Sequence, residues 1–274
     1  MAKKKTTKVA IAKKLGISRS TLYYKPKKPP EDAVLKEKIV AIMEEHRAYG
    51  HRRIAIALQV NKKAVRRTMK KNHLKPKLRR GYRLVKLGDL GRPETRVENV
   101  LKLLCPIRRN IVWAGDFTYF WYIDRFWYLA TVIDVYTREI VGWHVGNHHT
   151  TSLIIDAFKD AVRRTNASPI YFHSDQGSEY VSGAYESLLT EHQTTISHSR
   201  KSSPWQNGYQ ESFYNNFKLE LGSVHRFTHI GELIEAIHQQ IAYYNNQRIH
   251  SALKMTPVAY RTLQEQKHAA LAAV

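Results

Sequence analysis

The chain has 274 residues, 43% of them hydrophobic, and a formal net charge of +22, long enough for more than one domain and at least one real core. Its single cysteine, Cys105, excludes intramolecular disulfides and any multi-cysteine zinc site. With no apolar signal core and no run of 18 apolar residues, it is expected to be a cytoplasmic protein. The charge is segregated: residues 1–110 hold 32 Lys and Arg against 8 Asp and Glu, whereas residues 111–274 hold 13 against 15. A basic half beside a near-neutral half points to a polyanion-binding module joined to a domain with another task. No strongly amphipathic helix bearing Lys and Trp favours a membrane surface, so nucleic acid is the expected partner.

Residues 8–24, KVAIAKKLGISRSTLYY, predict a short helix, a turn at Gly16 and a second helix opened by Ser18. Ala12, Leu15 and Leu22 are expected to form a small apolar interface, with Arg19, Ser20 and Thr21 outward, the spacing of a helix-turn-helix within residues 1–28. Three prolines between Lys25 and Pro30 make a break. A second helical unit is expected over residues 31–74. Leu35, Ile39, Ile42 and His46 recur at helical spacing, Ile54, Ala57 and Leu58 face inward on the next helix, and Asn61 caps a third that buries Val65 and Met69. Lys62, Lys63, Arg66, Arg67, Lys70 and Lys71 cover the rest of that third helix. A solvated face is the ordinary reading of such a run. Following a helix and a turn, it is read here as a second DNA-reading unit whose phosphate contacts supply affinity rather than sequence readout. Residues 75–110 hold no apolar period and are expected to be a basic linker, with Lys77, Arg79 and Arg80 tracking along a DNA backbone. Cys105 is a filler residue there.

From Ile111 the pattern changes. IVWAGDFTYFW, RFWYLATVIDVY and EIVGWHV are rich in aromatic and β-branched residues and separated by short turns, which predicts an antiparallel meander. An amphipathic helix over 151–164 follows, then a strand in PIYFHS, a helix over 178–192, a strand in TTISHS and a helix over 204–221. This is the ribonuclease-H-like order, a mixed five-stranded sheet with helices, expected over residues 111–222 and followed by a helical extension over 223–274. In that fold the first and fourth strands are neighbours, which would bring Asp116 and Asp175 together. Thirty-five residues separate Glu211 from Asp175, and Glu211 lies among Phe213, Phe217 and Leu221 on the last helix.

Two acids at strand ends and one on a helix are what two divalent cations need. Hard ions such as Mg²⁺ take a few carboxylates and keep several waters, and a pair of them stabilises both the attacking and the leaving oxygen of a phosphodiester. Two Mg²⁺ ions are therefore expected, with Mn²⁺ able to substitute. Taken singly, Asp175 as a helix cap and Glu211 as a solvated helix residue are the plain alternatives; the set of three argues for cations. Asp124, Asp134, Asp156 and Asp160 read as turn or helix-surface acids. Glu179 competes most closely with Glu211, but a place at a helix start would make it a cap. His148, His149 and His173 read as satisfied or exposed rather than as metal ligands.

VWAGDFTY, YLATVIDVYTREIVGW, HSDQGSEY and ESFYNNFKLEL together resemble the OrfB-type DDE transposases of the insertion-sequence-3 family, whose core is like that of retroviral integrases. YGHRRIAIALQVNKKAVRRTMKKN resembles that family's helix-turn-helix and YYNNQRIHSALKMTPVAY its C-terminal signature, so the resemblance spans residues 30–262. It implies that Asp116, Asp175 and Glu211 form the catalytic triad and that Lys218, two helical turns past Glu211, holds DNA. It also implies double-stranded DNA as partner (the element's terminal inverted repeats and the target), a homo-oligomer on that DNA and an OrfA partner. Trp205 is a candidate for stacking on an unpaired base, and Asn207 and Arg248 are further DNA-contact candidates. The loop SSPWQNGYQES departs from the family pattern, as does Ile249, which stands where relatives carry proline. A helix-turn-helix repressor with an inert ribonuclease-H-like domain is the alternative reading.

Overall fold

The computed structural model describes residues 7–23, 29–77, 97, 99, 104–200 and 207–272. Helices α1 (Lys8–Lys14) and α2 (Arg19–Tyr23) meet through a turn in which Gly16 takes a φ of +62° and the Ile17 amide bonds the Ala12 carbonyl. Such left-handed backbone after a helix suits glycine. Ala12 is buried, but Leu15, expected inside, is 60% exposed: two helices this short face each other over too little area to cover it.

The second helical unit comprises α3 (Pro29–Glu45), α4 (His51–Ala57) and α5 (Lys62–Lys71). The Asn61 side chain accepts the Lys63 amide and caps α5, and Ile39, Tyr49, Ile54, Ala55, Val65 and Met69 form the interior. The unit is not a free-standing bead. Ile249, from near the far end of the chain, packs against its interior. The Ile249 amide donates to the Tyr49 hydroxyl at 2.6 Å, the Arg53 Nε donates to the Ile249 carbonyl at 3.0 Å, and the His46 Nδ1 and Tyr243 hydroxyl lie 2.8 Å apart.

The rest is a three-layer sandwich. Strands β1 (Val112–Tyr122), β2 (Arg125–Asp134) and β3 (Ile140–Gly146) make the expected meander, and the sheet is completed by β4 (Tyr171–Ser174) and β5 (Thr195–His198) in the order β3-β2-β1-β4-β5. β1 and β4 pair in parallel, as do β4 and β5. Helices α6 (Thr151–Thr165) and α7 (Gly183–Glu191) cover one face, packing Phe158, Tyr185 and Leu189 on Trp113 and Phe172. Helices α8 (Gly208–Leu221) and α9 (Ile230–Asn246) cover the other, packing Phe213, Phe217 and Ile237 on Val112, Ala114 and Leu129. Burial on both faces explains why β1 reads as a near-continuous apolar run. Gly142 lets α6 lie close on β3: a Cβ there would sit 2.5 Å from the Ala157 carbonyl oxygen. The last helix, α10 (Pro257–Ala272), packs on α9. This is the ribonuclease-H-like architecture expected. Among the boundaries that shift, α7 starts at Gly183, after a turn over residues 178–181, rather than at 178.

Candidate active site

β1 outruns its parallel neighbour, and the site lies where the neighbour stops. The last paired residues are Ala114 and His173. Two positions further along come Asp116, still on β1, and Asp175, just past the end of β4. At Asp175 the chain turns away, its Oδ1 accepting the Gly177 amide at 3.0 Å. Tyr180 is buried beside both acids. Burial pushes its hydroxyl pKa well above the ordinary value, and the negative charges of Asp116 and Asp175 push in the same direction.

Helix α8 is fastened to this point of the sheet by polar side chains. Asn207, just before it, donates to the Gly115 carbonyl at 3.1 Å; Gln210 donates to the Ala114 carbonyl at 2.6 Å and the Thr131 carbonyl at 3.0 Å; the Tyr214 hydroxyl donates to the Asp116 carbonyl at 2.7 Å. Glu211, in the first turn between Gln210 and Tyr214, is exposed next to these fastenings. The donor set is all oxygen, which suits a hard divalent cation. Among the described residues no three His, Cys, Asp or Glu side chains are grouped closely enough to hold a metal. The two aspartates are neighbours by register, and the helix that carries Glu211 is anchored beside them.

Glu179 does not cap a helix as expected. It is 7% exposed in the turn before α7, its Oε1 lying 3.1 Å from the His149 Nε2 and accepting the Ser178 hydroxyl. A Cβ on Gly177 would meet the Glu179 Oε2 at 3.0 Å and the Asp175 Oδ1 at 3.1 Å, so this carboxylate borders the site. His149 stacks on Tyr128. Nothing in the local sequence foretold that contact. The remaining acids are engaged elsewhere: Asp134 accepts the Asn110, Tyr136 and Thr137 amides, Asp160 pairs with Arg163 and Arg164, and Asp124 pairs with Arg125.

Of the DNA-contact candidates, Arg19 on α2 and Lys62, Lys63, Arg66, Arg67 and Lys70 on α5 are exposed, Arg67 while pairing with Asp32 at 2.7 Å. Lys77 is exposed too. Lys218 donates to the Tyr119 carbonyl at 3.0 Å, with its ammonium over the Tyr119 and Phe120 rings. Arg79, Arg80 and Trp205 lie outside the described residues. Two expectations are corrected. Asn207 is buried and its amide is taken up by the sheet. Arg248 is 1% exposed, with Nε on the Glu220 carboxylate at 2.7 Å and Nη2 on the Asn216 Oδ1 at 2.7 Å; it ties the chain after α9 to α8. Cys105, in contrast, is exposed.

A mixed five-stranded sheet in the order β3-β2-β1-β4-β5 with helices on both faces is the architecture of an integrase core. Two models of the integrase core domain match, over residues 106–204 and 192–257. The chain is 34% identical over 262 residues to the putative transposase InsK for insertion sequence element IS150 of Escherichia coli K12, covering 89% of this chain and 90% of that protein. It is 35% identical over 241 residues to the transposase for insertion sequence element IS904 of Lactococcus lactis, covering 83% and 92%. The chain belongs to the insertion-sequence-3 family of DDE transposases. The fold matches a chain of a simian T-cell lymphotropic virus intasome with a TM-score of 0.51 at 15% identity, covering 77% of this chain and 74% of that one. No helix among the described residues is long and apolar enough to cross a membrane.

Proposed function

We infer that this transposase binds the terminal repeats of its element, nicks the element's ends and joins them to target DNA. The observation that supports this reading is the register of β1 against β4, whose last pair, Ala114 and His173, lies two residues before Asp116 and Asp175, with α8 fastened across the same stretch of β1. Asp116, Asp175 and Glu211 would hold two Mg²⁺ ions, or Mn²⁺ in their place, which when bound supply charge neutralisation at the scissile phosphate. The carboxylates act as holders, and no side chain becomes bonded to DNA. Water attacks the first phosphodiester and the P–O3′ bond breaks, leaving a free 3′-OH and a 5′-phosphate. That 3′-OH then attacks a second phosphodiester, so one strand is joined as another is released. Lys218 lies seven residues past Glu211, about 10 Å along the helix, and would hold DNA beside the acids. Exposed cations on α2 and α5 would grip phosphates of the terminal repeats, in a homo-oligomer on the DNA.

Asp175→Asn tests this with little change of shape. The variant should lose Mg²⁺-dependent nicking and joining of labelled end oligonucleotides while keeping wild-type end binding. Substantial residual joining refutes the triad. End binding without cleavage by the unaltered protein means that it is a repressor instead.

A further inference from the structure

The seam between the α3–α5 unit and the core encloses a cavity of about 540 Å³, away from the acids on the opposite edge of α8. It is lined by Arg53 of α4, Arg138 of the β2–β3 turn, Arg248 and His250 from the segment after α9, and Tyr209 and Asn216 of α8. Three guanidinium groups around one partly enclosed space are costly unless negative charge balances them.

Among the described residues a carboxylate pairs with only one of them. Arg248 has the Glu220 carboxylate. Arg138 lies over the Tyr209 ring, 4.0 Å from its centroid, and its Nε and Nη1 are buried with no hydrogen-bond partner among the described residues. Arg53 commits its Nε to the Ile249 carbonyl, and among the described residues no carboxylate pairs with it. The His250 Nδ1 is likewise buried without a partner among them. Carboxylates near Arg138 in the chain are occupied: Glu139 with Arg261 at 3.3 Å, and Asp134 with backbone amides. Burial, then the charges of Arg138, Arg248 and Arg53, push the His250 pKa down to about 4. Among the described residues these three guanidinium groups have one paired carboxylate between them, that of Glu220.

We propose that the cavity is a phosphate site, with Arg138 and Arg53 supplying the charge and His250 Nδ1 a further polar contact. Two sources share this chemistry: a backbone phosphate of bound DNA, and a free phosphate or nucleotide. The site does not depend on the acids and stands whether or not Asp175→Asn abolishes cleavage.

The test uses the full chain with inorganic phosphate, and chloride at matched ionic strength as control. Phosphate should raise the unfolding temperature and shift the His250 imidazole resonance, assigned by its loss in His250→Gln, toward the protonated form near pH 6. Arg138→Gln should abolish both responses, and Arg138→Lys should keep a weakened one. Arg53→Gln serves as a second loss-of-charge variant should Arg138→Gln fold poorly. A second arm measures affinity for duplex DNA of the element's end against salt. If a DNA phosphate occupies the site, Arg138→Gln weakens binding and lowers the salt slope by about one. An unchanged slope with phosphate still bound assigns the site to a free phosphate. Unchanged responses in folded Arg138→Gln and Arg53→Gln, or no response in the wild type, overturn the proposal.

Discussion

Replacing Gln210 with Met keeps the volume of a side chain that is 0% exposed and removes all its polar contacts. Its amide donates to two carbonyls, those of Ala114 and Thr131, and its Oε1 accepts the Thr131 hydroxyl at 2.9 Å. That hydroxyl keeps the Tyr214 hydroxyl at 2.7 Å as an alternative partner, so its loss costs little. The two carbonyls lose a donor in a place water does not reach. At about 1 to 1.5 kcal/mol for each, the expected destabilisation is about 2 to 3 kcal/mol. Urea unfolding followed by fluorescence reads this directly, as a lowered midpoint at unchanged slope. Because these bonds set where α8 lies on β1, strand joining should fall as well, while binding of end DNA stays near wild type. A stability within about 0.5 kcal/mol of wild type would show that apolar packing alone positions α8, and the reasoning would fail.

Gly142→Ala should destabilise by about 2 kcal/mol or more, since its methyl would meet the Ala157 carbonyl and the Ala161 methyl at 2.5 Å; thermal unfolding checks this. Arg248→Met strands the Glu220 carboxylate, 10% exposed on its side chain, and should cost about 3 to 5 kcal/mol, with the double variant Arg248→Met, Glu220→Leu recovering much of that in the same urea assay. His250 is depressed from 6.5 to about 4 in the folded protein, so between these values the unfolded chain takes up a proton that the folded chain refuses. Stability should therefore fall as pH drops from 6.5 toward 4, by up to about 3 kcal/mol from this group, and replacing His250 with Gln should flatten that part of the profile.

Periodicity revealed most of the core. The aromatic and β-branched runs became β1 to β3, and the spacing of Asp116, Asp175 and Glu211 placed them on the expected elements, because those signals are local. What was missed depended on contacts between distant residues. Glu179 looked like a cap because it precedes a helix by a few residues, yet its environment is set by His149 on another loop. Arg248 could be read as a DNA contact or as a tie to the core, and the partner that draws it inside, Glu220, lies 28 residues earlier. Asn207 was a candidate DNA contact and Gln210 was not singled out, whereas both donate to carbonyls of β1. The joining of the α3–α5 unit to the core was equally illegible, since His46 and Tyr243 are 197 residues apart.

The position of Ile249 bears on how the chain matures. Its amide meets Tyr49 across 200 residues of sequence, so the N-terminal helices leave the ribosome long before the residue that seals them exists. Contacts of such long sequence separation form late. A polypeptide cut short before this residue would carry an amino-terminal unit with an open side, and the finished protein alone would have both ends locked together.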